Sequence, residues 1–66
     1  MPRLLGVEIP NDKKIEYSLP YIYGIGLPIS RKVLAATNID PNTRAGELTD
    51  EQIALITQVI QGMKLP

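Results

Sequence analysis

No His and no Cys occur among these 66 residues, so the side chains that most often carry general acid-base, nucleophilic or metal chemistry near neutral pH are missing. Asp12 and Glu16 stand four apart and would share a helix face. Acids at the start of a helix are ordinarily solvated groups favoured by the macrodipole, and no third group completes an acid-base constellation around this pair. The reading is therefore a protein that is not an enzyme, with no cofactor and no metal site. What remains is backbone chemistry. In Tyr21-Ile22-Tyr23-Gly24-Ile25-Gly26-Leu27-Pro28, two glycines bracket one apolar residue just before a helix start. Glycine permits positive φ and close approach, and proline suits the first helical turn because its missing amide is not needed there. Such a hairpin aims free amides and a positive helix end at a phosphate, with Gly24 and Gly26 as its key positions. It is not a dinucleotide fingerprint, since the third glycine and the preceding strand are absent.

Around the hairpin lie aromatic rings and cations. Tyr17, Tyr21 and Tyr23 fall close together in a chain with no Phe and no Trp. They can stack on nucleobases, but the favoured reading makes them bulky core and hinge residues with hydroxyls reaching the surface. Arg31 and Lys32 follow the hairpin by one turn, where they either grip flanking phosphates or form an ordinary exposed face.

These groups need elements to hold them. Residues 1–10 read as an extended arm, with Leu5, Val7 and Ile9 alternating against Gly6 and Glu8 and Pro10 ending it. Asn11 or Asp12 caps a first helix near 12–22, whose inner face is Ile15, Leu19 and Ile22. Pro20 would delete an amide and crowd the Glu16 carbonyl, which predicts a kink, a loosened turn or an early stop. A second helix near 28–37 buries Ile29, Val33, Leu34 and Ala36 and ends at a left-handed Asn38. Asp40-Pro41-Asn42-Thr43 predicts a turn with one short helical turn. Thr49-Asp50-Glu51-Gln52 has the spacing of a capping box and opens a third helix near 50–61, stopped by Gly62, with 63–66 as a tail. The fold class is all-α, a small three- to four-helix bundle over residues 1–62 with a short extended N-terminal arm.

Composition sets limits on this bundle. A domain of this length buries only about 60% of its unfolded surface. Seven basic residues balance seven acidic ones for a formal net charge of zero, unlike an isolated nucleic-acid binder. Arg3, Lys13, Lys14, Arg31 and Lys32 nevertheless concentrate in the first half, so one basic face is available. No apolar run approaches the roughly 18 residues of a membrane span, and no signal-peptide core is evident, so the expectation is a soluble product that works where it is made, with no membrane partner.

Taken in order, the motifs resemble the N-terminal domain of the S-thirteen family of small-subunit ribosomal proteins, bacterial and organellar. The resemblance is carried by Arg3, Gly6-Val7-Glu8-Ile9-Pro10, Lys13-Lys14, Tyr21 through Leu27, Ala35 through Arg44, and Leu48 through Ile53. It implies a helix-two-turns-helix domain in the head of the small subunit, in a bacterial cytoplasm or an organelle such as a plastid or mitochondrion. The partners it implies are small-subunit ribosomal RNA, the neighbouring protein S-nineteen, and large-subunit protein five across the subunit bridge. Carried over by position, Gly24 and Gly26 are hairpin glycines, and Arg3, Lys13, Lys14, Arg31 and Lys32 are phosphate contacts. Family members continue into a basic C-terminal extension that approaches tRNA, which these 66 residues do not include. A second reading follows from that difference: Ile53, Ile56, Val59 and Ile60 expose an apolar face that self-associates or docks a protein.

Overall fold

The computed structural model describes residues 3–22 and 24–63, with Arg3 described by its backbone only. Tyr23 and the 64–66 end of the expected tail lie outside the described residues. The chain opens with a small antiparallel hairpin, β1 (Arg3–Leu4) against β2 (Val7–Glu8), with Leu4 facing Val7 in register. Leu5 at φ 52° and Gly6 at φ 79° make the turn. Positive φ at both central residues gives the twist that two-residue hairpins favour. The reversal breaks the expected apolar alternation of the arm: Leu4 and Ile9 are buried, whereas Leu5 is exposed.

α1 is a single short helix, Ile15–Ser18, running into a 3-10 turn at Leu19–Tyr21. The residue before it is Lys14, and no side chain caps it, which corrects the expected start at Asn11 or Asp12. The stretch from Asn11 to Lys14 stays out of the helix because its backbone is hydrogen-bonded to a later segment. The Ile15 amide donates to the Thr43 carbonyl at 2.7 Å, Ala45 to Lys13 at 3.0 Å, and Gly46 to Asn11 at 3.0 Å. Lys14 and Arg44 form an isolated antiparallel bridge at the centre of this seam. Pro20 has the loosening effect read from the sequence, since the regular helix stops two residues before it.

α2 (Leu27–Thr37) starts on Gly26 with Pro28 in its first turn and ends on Asn38 at φ 57° and ψ 38°. Its buried residues are Ser30, Val33 and Leu34; Ala36, expected inside, is exposed. The Asp40 side chain accepts from the Asn42 amide at 2.9 Å, closing a turn but no helix. The short helical turn comes later, at Ala45–Glu47, because Arg44 is held extended in its bridge with Lys14 and the Thr43 carbonyl is taken by the Ile15 amide. α3 (Asp50–Gly62) opens with the capping box that the Thr49–Gln52 spacing predicts: Gln52 N–H donates to Thr49 Oγ1 at 3.1 Å, and Thr49 N–H to Gln52 Oε1 at 2.9 Å. Gly62 is the last helical residue and Met63 turns extended at φ −85°.

α2 packs against both α1 and α3. One core joins Leu4 and Ile9 from the hairpin end, Ile15, Leu19, Ile22 and Ile25 around the first helix, Val33 and Leu34 from α2, and Ile56 and Ile60 from α3. Among the described residues, aliphatic side chains therefore fill the interior. Tyr17 and Tyr21, expected as bulky core residues, are 49% and 55% exposed.

Candidate nucleic-acid interface

The glycine hairpin begins from Ile22, whose amide donates to Leu19 and whose carbonyl accepts from Ile25 at 3.1 Å. Between them Gly24 sits at φ 88°, a region that side-chain-bearing residues enter only with strain. Gly26 has ordinary extended backbone, φ −96° and ψ −178°, and is exposed. Its carbonyl receives the Ser30 amide at 2.9 Å, which starts α2. No side chain caps this end, and Pro28 brings no amide. The first-turn amides of Leu27 and Ile29 thus have no intrahelical acceptor, the arrangement that favours an anion.

The cations read from the sequence do not all gather here. Arg31 is exposed, and its Nε lies 3.6 Å from Glu16 Oε2, an ion pair linking α2 to α1. Lys32 is exposed on the same helix. Arg3 has a described backbone only, paired with Glu8. Lys13 and Lys14 belong to a different place: with Asp12, Tyr17 and Arg44 they line an open cavity of about 380 Å³. Gly24, Gly26, Arg31 and Lys32 do not line it.

Arg44 is the cavity residue that the spacing did not single out. Its side chain is held in place, because the guanidinium donates to the Asp12 carbonyl across the seam. No local signal could have found it, since it meets Lys14 only through a bridge between segments 30 residues apart.

The apolar interface expected on α3 needs correcting. Ile56 and Ile60 are 0% and 3% exposed and belong to the core, while Ile53 and Val59 are half-buried and pack against it. α3 packs against α2, and Ile56 and Ile60 lie buried in the shared core, so they have no face left for a second protein. Among the described residues of α3 the exposed large apolar side chain is Leu55. No helix among the described residues is long and apolar enough to cross a membrane.

A profile of the family described as Ribosomal protein S13/S18 matches residues 3–66. The chain belongs to the ribosomal protein S13/S18 family. Curated relatives named small ribosomal subunit protein uS13 agree with it. That of Akkermansia muciniphila is 58% identical over 60 residues, covering 91% of this chain and 48% of its own length. That of Thermosipho melanesiensis is 57% identical over 61 residues, covering 92% and 50%, and that of Thermotoga maritima 54% over 61 residues, covering 92% and 49%. The chain thus spans about half the length of the curated S13 relatives it matches. Within that half lie the glycine hairpin, the α3 capping box and the basic cavity.

Proposed function

We propose that this chain is a helix-two-turns-helix module of the small ribosomal subunit that binds ribosomal RNA as a structural, non-catalytic part of the translation machinery. Membership of the S13/S18 family over residues 3–66 is the observation that carries this reading. The hairpin geometry supports a mechanism for it. Gly24 supplies the left-handed bend, Gly26 leaves the approach to α2 clear of a side chain, and the amides of the first turn meet a phosphate. Lys32 and Arg31 flank that point from α2, and S-nineteen, large-subunit protein five and a ribosome of bacterial type complete the proposed setting.

Fluorescence anisotropy with small-subunit head RNA, against an unrelated duplex of equal length, tests the reading. Preference for the head RNA is expected, and equal weak binding to both overturns it. Gly26→Ala probes the mechanism without disturbing the fold, because an added Cβ would meet Pro28 Cδ at an ordinary 3.7 Å. Thermal unfolding should be unchanged. RNA affinity should fall about tenfold if a phosphate accepts from amides at this point, the worth of one charge-assisted hydrogen bond.

A further inference from the structure

We infer that the groove between the Asp12–Tyr17 stretch and Arg44 is a separate subsite for one unpaired nucleotide of RNA, its base stacked on the Tyr17 ring and its phosphates held by Lys13, Lys14 and Arg44. The inference rests on the RNA-binding reading above but concerns a different place on the molecule. Three cations and one carboxylate line the cavity, in a chain whose overall charge is zero. The positive charge there is local and is created by folding. Its volume, about 380 Å³, falls within the range of about 300–1,000 Å³ typical of small-ligand sites.

Tyr17 decides the class of ligand. Tyr17 is 49% exposed at the wall of a basic groove, while the core formed by the described residues is filled by aliphatic and small side chains, so packing does not account for it. An aromatic face among cations suits an unpaired base joined to phosphates, with stacking on one side and charge on the other. A base inside a duplex cannot present its face to that ring. Arg44 is ready for planar contact with phosphate because its guanidinium is already anchored on the Asp12 carbonyl. The Asp12 carboxylate adds an acceptor for a ribose hydroxyl or an exocyclic base amine. Glu16, the next acid along, is engaged with Arg31 on the α2 side.

The experiment titrates the full 66-residue chain with a short unstructured oligouridylate and with an RNA duplex, following amide chemical shifts and anisotropy. Shifts centred on Lys13, Lys14, Tyr17 and Arg44 are expected with the single strand. Tyr17→Leu, which keeps the bulk of an exposed residue but removes the π face, should weaken single-strand binding roughly tenfold and leave duplex binding unchanged. Lys14→Gln should weaken both. Single-strand affinity unaltered by Tyr17→Leu, or shifts confined to the Gly24–Arg31 region, overturns the inference. Shifts at Lys13, Lys14, Tyr17 and Arg44 with an acidic peptide but not with the oligouridylate also overturn it, in favour of a protein partner. Binding of head RNA without binding of the oligonucleotide sinks the subsite and leaves the ribosomal reading standing. Oligonucleotide binding at Tyr17 with no preference for head RNA does the reverse.

Discussion

Pro20 withholds the amide that a continuing α-helix would aim at the Glu16 carbonyl, and Ser30 of α2 fills the gap with its hydroxyl, donating to that carbonyl at 2.8 Å. Ser30 is fully buried, so this bond replaces a missing backbone partner inside the core rather than adding one at the surface. Ser18 has a similar task, its buried hydroxyl donating to the Pro10 carbonyl at 3.0 Å and closing the loop over α1. Ser30→Ala should therefore destabilise the chain by about 1–3 kcal/mol, the penalty for an unsatisfied buried carbonyl, as read from urea unfolding. In a Pro20→Ala background, where position 20 regains an amide, the same substitution should cost clearly less. Equal losses in the two backgrounds would break the link between the two residues. The disruption at Pro20 was legible in the sequence because it follows from one residue's covalent structure. Its remedy was not, since Ser30 lies 14 residues from Glu16 and only the packing of α2 on α1 brings it there. Tyr17 and Tyr21 depart from the expected core position for a related reason: composition shows that they are aromatics in a chain without Phe or Trp, but exposure depends on how many aliphatic residues already fill the core.

At the level of elements, helices begin where a local rule or a distant partner lets them. α3 obeys the local rule. Thr49 and Gln52 exchange side-chain and backbone hydrogen bonds, and Leu48 and Ile53 occupy the flanking staple positions against the core. All four residues lie within six positions, so the start of α3 could be read directly from the sequence. Thr49→Ala should cost about 1 kcal/mol in chemical denaturation, and Thr49→Ser should recover most of it. A loss for Thr49→Ser as large as that for Thr49→Ala would show that the methyl group, not the cap, carries the effect. α1 is governed by a distant partner. Its apparent caps, Asn11 and Asp12, are diverted because residues 11–15 pair with residues 43–46, and the helix waits until Ile15. That same seam builds the basic cavity, which explains why the glycine hairpin was visible in the sequence and the cavity was not. The hairpin is contiguous in the chain, whereas the cavity needs two segments joined by backbone hydrogen bonds.

For the whole molecule, a formal charge of zero leaves no general attraction for nucleic acid, so any affinity must come from cations concentrated by the fold. Among the described residues, two places concentrate them differently. Around the cavity, Lys13, Lys14 and Arg44 stand together. On α2, Arg31 is engaged with Glu16 and must exchange that partner before it contributes a full charge to a phosphate. Salt dependence separates the two. Single-strand binding changes by about 0.7 per neutralised phosphate on a plot of log K against log salt concentration, so three cavity cations predict a slope of about −2. Recruiting Arg31 and Lys32 as well would raise it to about −3.5. The expected slope for the unstructured oligonucleotide is the shallower one, falling by about 0.7 in Lys14→Gln and staying the same in Lys32→Gln. A slope near −3.5 that drops with Lys32→Gln would merge the cavity and the hairpin into one continuous track, and the RNA would then run from Arg44 across α1 to the start of α2.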